Sequence, residues 1–183
     1  SSSPRTVARS PRRSADTPRV GAAMSVGSAA TTCTLAATTG AIDRAMNDLA
    51  PARLGWGNVS VDSARNRFRA RLGESAGKTD PRLDVLRIDD AHGRCRGVVW
   101  HYAAHPTCAM RCDFLVSGDY VGLANRQVRT QLGGFAMFLN GACGNINLEL
   151  GDRSFDRAAR HGKTLADAVT RTAHGVRTVP QAP

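Results

Sequence analysis

Two short stretches of this chain concentrate side chains able to do chemistry. One is His105-Pro106-Thr107. The other is the glycine-rich run Asn140-Gly141-Ala142-Cys143-Gly144-Asn145-Ile146-Asn147. A neutral imidazole offers a nitrogen lone pair near physiological pH, so His105 suits a metal ligand or general base; it equally suits a polar loop position. Glycines let backbone approach a ligand closely and aim N–H groups at an oxyanion, although the same composition also makes a tight turn of small residues. The run matches neither a Walker loop nor a dinucleotide fingerprint. His101 stands an even number of positions before His105, so the two would share one face of a continuing strand, but Pro106 bends the chain near His105. The cysteines are Cys33, Cys95, Cys108, Cys112 and Cys143, with no CxxC pair. That number and density exclude a small disulfide scaffold, and no second pair completes a structural zinc site with Cys108 and Cys112, so all five read as free thiols or core residues.

The elements that must position these stretches follow from apolar spacing. Ile42, Ala45, Met46 and Leu49 fall on one face of a helix that Pro51 stops. Leu54 to Val61 reads as a strand weakened by Gly55 and Gly57, and residues 72–81 read as a polar loop. A hairpin follows, with Leu83, Val85, Leu86 and Ile88 on one strand, residues 89–93 in the turn, and Gly97 to Ala103 on the other. Residues 104–118 form a loop. Asp119 to Leu132 has helical spacing and ends at Gly133-Gly134. Phe135 to Leu139 is continuously apolar and so predicts a strand buried on both faces. Ser154 can cap a last helix reaching about Thr172. The pattern is α/β throughout, without internal repeats, and both chemical stretches directly follow predicted strands, where functional groups concentrate in α/β proteins.

Composition sets the wider frame. The chain has 183 residues, 42% hydrophobic and 22% charged, enough for one domain with a core. The formal net charge is +10. Residues 1–23 hold five arginines (Arg5, Arg9, Arg12, Arg13, Arg19) against Asp16 alone; the rest of the excess is spread along the chain. No RNA-binding or zinc-finger signature accompanies it, so no specific nucleic-acid partner is expected. No apolar run is long enough for a transmembrane helix. Arg12-Arg13 is followed by Ser-Ala-Asp-Thr-Pro, not by the apolar core of a signal peptide. The domain reading is a disordered basic Ser/Pro/Arg-rich tail at 1–37, a partial α/β domain at 38–175 and a disordered C-terminal tail at 176–183.

Taken in order, several blocks resemble the neutral/alkaline (non-lysosomal) ceramidase family. They are Leu83 to Gly93, Tyr102-Ala103-Ala104-His105-Pro106-Thr107, Leu115 to Ala124, and Phe138 to Asn147, with Leu49 to Gly57 and Asn66-Arg67 upstream. The resemblance spans about residues 40–170. It implies a mixed sheet with helices packed on it, as an internal part of a catalytic domain. It also implies hydrolysis of the amide bond of ceramide or a related lipid amide, with zinc as cofactor. By the same resemblance His105 is a zinc ligand, Arg67 stabilises developing oxyanion charge, and Gly144 and Asn145 lie at the substrate. Lipid substrate and family habit imply a secreted or membrane-associated setting, with membrane-surface association.

Two departures qualify what the resemblance carries. The family reads Gly-Asp-x-Ser-Pro where this chain reads Gly144-Asn145-Ile146-Asn147-Leu148. The position of a catalytic Ser is Asn147, which cannot act as an ordinary nucleophile or general base and is left to orient an attacking water or hold the oxyanion. The family's upstream His-Thr-His-Ser-Gly block has no counterpart, and its Glu and Tyr ligands belong far downstream, so only His105 is assignable as a ligand, with Glu149 as a nearby carboxylate. An inactive family remnant that binds a ligand or partner is the alternative expectation.

Overall fold

A computed structural model of the chain describes residues 20–68, 77–109, 115–148 and 153–181, with side chains from residue 34 onward. It separates into two compact units, 1–49 and 50–183. The first holds one helix, α1 (Val20–Asn47). Its Ala-rich composition favours helix even without a clean apolar stripe, so it starts well upstream of the expected Ala41. Ile42, Met46 and Leu49, the apolar face read from the sequence, are exposed.

The second unit is built on a five-stranded mixed sheet. Its strands are β1 (Ala52–Ser60), β3 (Arg82–Asp90), β4 (Cys95–Tyr102), β5 (Phe135–Asn140) and β7 (Val179–Pro180), arranged β5-β4-β3-β1-β7. All pairings are antiparallel except β4 with β5, which is parallel and places Trp100 beside Phe138 and Tyr102 beside Asn140. The crossover between those two strands is α2 (Asp119–Leu132), the usual means of joining parallel neighbours. A last helix, α3 (Phe155–Gly175), packs against α2. Ser154 caps α3 by accepting a hydrogen bond from Arg157 N at 3.1 Å.

The helices cover one face of the sheet. Trp100 Nε1 donates to Asn125 Oδ1 of α2 at 2.8 Å, the Tyr120 ring meets Phe138 edge-on, and Arg87 donates to the Ala173 carbonyl of α3. The core lies there, in Leu83, Val85, Val98, Trp100, Tyr102, Tyr120, Val128, Leu165 and Val169. Gly55 and Gly57 fall on this face because larger residues would strike Val176, Arg177 and Thr172. Gly162 similarly brings α3 against α2, since a Cβ there would stand 3.0 Å from Leu123 Cβ.

The opposite face corrects the expectation that β5 is buried on both sides. Phe135, Met137 and Leu139 are exposed at 43%, 52% and 52%, and Trp56 of β1 at 61%. The strand lies at a sheet edge, and alternation sends only Ala136 and Phe138 toward the helices. β7 falls within the stretch 176–183 read as a tail; it adds Arg53↔Pro180 and Leu54↔Val179 pairing at the other edge.

The hairpin between β3 and β4 turns through Ala91–Arg94. The Asp90 carboxylate accepts from Arg94 N, Arg94 Nε and His92 N, and these bonds hold its carboxyl below the usual Asp range. After α2, Gly134 has φ +68°, and a Cβ there would collide with the Arg96 carbonyl oxygen. Gly134→Ala is therefore expected to lower stability by about 1–3 kcal/mol, read as a fall in the denaturant midpoint. Gly144→Ala, which meets nothing within 4 Å and has no positive φ, should leave the midpoint unchanged.

Candidate functional site

Two very short strands assemble the site. β2 (Ala64–Asn66) and β6 (Ile146–Leu148) form a separate antiparallel pair, with Arg65 opposite Asn147 and Asn66 opposite Ile146. The pairing runs on through Arg67 N, which donates to the Asn145 carbonyl at 2.9 Å. On its other side β6 meets His105, whose N–H donates to the Ile146 carbonyl at 3.0 Å in a parallel bridge that sets His105 beside Asn147. Ile146 and Leu148 are buried, which fixes the strand's orientation and leaves Asn147 half-buried. Arg67, His105 and Asn147, distant in sequence, thus meet on one backbone frame.

The loop carrying His105 is tied down at successive points. Tyr120 Oη donates to the Ala104 carbonyl at 2.7 Å, Ser154 N to the Cys108 carbonyl at 2.8 Å, and Ala109 N to Asp119 Oδ2 at 2.7 Å. Asp119 holds φ at +52°, an uncommon conformation for a residue with a Cβ, while Tyr120 N donates to its Oδ1. Tyr102 Oη donates to the Val61 carbonyl at 2.6 Å, and Gly141 N to the Tyr102 carbonyl at 3.1 Å, so the glycine-rich run starts from the end of the sheet.

Side chains complete the geometry. Arg67 Nη2 donates to the Gly144 carbonyl at 3.0 Å, and its guanidinium carbon sits 5.1 Å from the Phe68 ring centroid. Arg67 Nε and Asn147 Oδ1 are buried without a hydrogen-bond partner among the described residues. His105 Nδ1 lies 3.4 Å from the sulfur of buried Cys143. The arrangement offers an imidazole, a thiol and an amide oxygen as donors to a metal, and a guanidinium for negative charge. Among the described residues no three His, Cys, Asp or Glu side chains converge on a metal-sized space.

All the sequence-predicted residues therefore stand on this frame: His105 and Asn147 by a bridge, Arg67 with Gly144 and Asn145 by hydrogen bonds. Cys143, read from the sequence as a free thiol or core residue, is both free and buried in the core, and it also meets His105. His101 belongs to a different group. Its Nδ1 comes within 3.3 Å of Asp84 Oδ2 across β3, an ion-pair distance without hydrogen-bond alignment. Glu149 and Cys112 lie outside the described residues.

No family model matches the chain, and no curated protein sequence does. Solved structures do. A ceramidase complexed with C2 superposes with a TM-score of 0.62 at 24% identity, over 72% of this chain and 24% of that one. The neutral ceramidase from Pseudomonas aeruginosa gives a TM-score of 0.59 at 24% identity, over 77% of this chain and 26% of that one. The α/β fold with its mixed sheet is thus shared with the ceramidases, as the sequence blocks implied. The chain spans about a quarter of the length of these structures.

Two anchors of the site make it sensitive to alkali. The chain has two tyrosines, Tyr102 and Tyr120, and burial pushes both phenols above the ordinary value of 10.0, Tyr120 furthest. Above that value the unfolded chain gives up phenolic protons that the folded chain keeps, so stability falls as pH rises. A near-ultraviolet titration should show no phenolate in the folded protein around the ordinary tyrosine pKa, with both phenolates appearing together on unfolding. Phenolate formed at the ordinary value with the fold intact would contradict the two anchors.

Proposed function

We propose that this chain is part of a neutral/alkaline ceramidase-family amidohydrolase. In this reading it hydrolyses the amide bond of ceramide (N-acylsphingosine) or a related lipid amide at a membrane surface, releasing a fatty acid and a sphingoid base. The observation that carries the reading is the meeting of His105, Arg67 and Asn147 around one glycine-rich run, in a fold shared with ceramidases. No helix among the described residues is long and apolar enough to cross a membrane.

Zinc is the cofactor this reading implies, and the donors present fit it in part. His105 supplies a nitrogen, and buried Asn147 Oδ1 is an oxygen donor without a partner among the described residues. A catalytic zinc takes three protein ligands, so others would come from outside the described residues. When bound, the ion polarises a carbonyl or activates a nucleophile. The chain's own groups divide the remaining work. Arg67, held against Gly144, presents a fixed positive charge for the oxygen of a tetrahedral intermediate. Gly144 and Asn145 bring backbone close to the scissile amide. Asn147 orients the substrate or an attacking water by hydrogen bonding, since a carboxamide cannot serve as nucleophile or general base.

A second reading has its own observation. Asn147 stands where the family reading expects a catalytic Ser, which favours an inactive relative that binds a ligand or partner without turnover. Hydrolysis of a fluorescent-acyl ceramide by the chain joined to the family segments that carry the other ligands, assayed with added zinc, separates the two. The first reading expects zinc-dependent product once those segments are supplied, abolished in His105→Ala. It expects Arg67→Ala to lower kcat/KM by about 100–1,000-fold, as for loss of an oxyanion donor. The second expects no product from the chain with or without zinc, together with retained ceramide binding.

A further inference from the structure

We infer that His101 is a positioning residue of the glycine-rich run, and that its charge, set against Asp84, makes the start of that run respond to pH. The placement of the run stands on geometry alone; its bearing on catalysis rests on the amidohydrolase reading. Three observations converge on this imidazole.

The first is its row in the sheet. Asn58, Asp84, His101 and Leu139 lie opposite one another across β1, β3, β4 and β5, on the face that the helices leave open. The second is the carboxylate. Asp84 is buried, and its Oδ2 stands 3.3 Å from His101 Nδ1 and 3.2 Å from Arg82 Nε. His101 Nδ1 is itself buried and has no aligned hydrogen bond among the described residues. A neutral ring therefore meets Asp84 as a dipole, and a protonated ring meets it as a charge. The third is the other side of the ring. His101 Nε2 faces Gly141, the first glycine of the run: a Cβ there would stand 2.5 Å from that nitrogen and 2.9 Å from Ala103 Cβ.

These contacts link sheet to run. Gly141 N donates to the Tyr102 carbonyl at 3.1 Å, so the run leaves the sheet directly against the imidazole. Further along, the Gly144 carbonyl accepts from Arg67 Nη2. Where the ring lies thus bears on how the run is presented to Arg67. The charged neighbours of His101 are Asp84 and, through the same carboxylate oxygen, Arg82. Asn58, Leu139, Ala103 and Gly141, which also border the ring or its row, carry no charge. Histidine ordinarily changes charge between about pH 5 and 8. Taking up a proton adds attraction toward Asp84 on one side and none toward Gly141 on the other, so the ring is drawn off the run.

Nitrogen-15 NMR of the purified, metal-free chain across that pH range tests this. The Gly141 amide resonance is expected to move with pH along the same curve as the His101 ring protons. In His101→Gln the movement should be lost at Gly141 and kept at Cys143, whose sulfur meets a different imidazole, His105. Asp84→Asn keeps the side-chain shape and removes the charge, and should shrink the movement at Gly141. An imidazole that only fills space would leave Gly141 unmoved by pH in the wild type, and that result would overturn the proposal. So would a Gly141 movement that persists unchanged in His101→Gln or in Asp84→Asn. Turnover is a separate readout. In the chain joined to the family segments that carry the other ligands, His101→Gln should lower kcat by up to about 100-fold, the scale of a roughly 1 Å misplacement, with KM little changed. Full kcat in that variant would overturn the bearing on catalysis. No amidase activity even with His101 intact would remove the amidohydrolase reading, and the Gly141 titration would still decide the positioning role.

Discussion

The candidate site depends on a single three-residue strand. Ile146–Leu148 is held between Ala64–Asn66 on one side and His105 on the other, and no other described segment joins the two chemical loops so directly. Its backbone hydrogen bonds each contribute on the order of 1 kcal/mol net. Burial of Ile146 and Leu148 adds about 1.5–3 kcal/mol per side chain. The alternation of a strand does the rest: with Ile146 and Leu148 directed inward, Asn147 must point the other way, into the space shared with His105. A sequence as short as Gly-Asn-Ile-Asn-Leu thus fixes two side chains in the core and one at the site.

The larger sheet supplies the rigid end from which these loops depart. β4 and β5 run parallel and finish beside each other, so their following segments, His105-Pro106-Thr107 and Asn140–Asn147, emerge at one edge. Buried phenols then tie loop to scaffold: Tyr102 reaches Val61 and Tyr120 reaches Ala104. Asp119 serves the same purpose at the start of α2, trading a strained φ for two hydrogen bonds that satisfy buried N–H groups. The chemistry is thereby carried on loops, while their geometry is set by strand ends and a helix start.

Much of the fold was legible because long periodic segments declare themselves. The helices at Asp119–Leu132 and Phe155–Gly175 and the hairpin of β3 and β4 follow from spacing, glycine and capping signals alone. The strands β2, β6 and β7 were missed. They are two or three residues long, too short to show a period, and exist only because a distant partner completes their hydrogen bonds. The reading of Phe135–Leu139 as buried on both faces failed for a different reason: an apolar run reports affinity for cover, and cannot say whether the cover is present on each side. His105 was singled out by residue type and position, Arg67 and Asn147 by resemblance, and the fold brings the three onto one frame. Cys143 is the buried free thiol its sequence context implied, and its meeting with His105 arises from tertiary structure.

The central claim is that these loops bind zinc as part of an amidohydrolase. Elemental analysis of the purified chain and of His105→Ala, dialysed side by side against zinc-containing and then zinc-free buffer, tests it most directly. The account predicts near-stoichiometric zinc in the wild type and its loss in the variant. Equal zinc in both proteins, or none in either, would contradict it and leave the shared fold without the proposed metal chemistry.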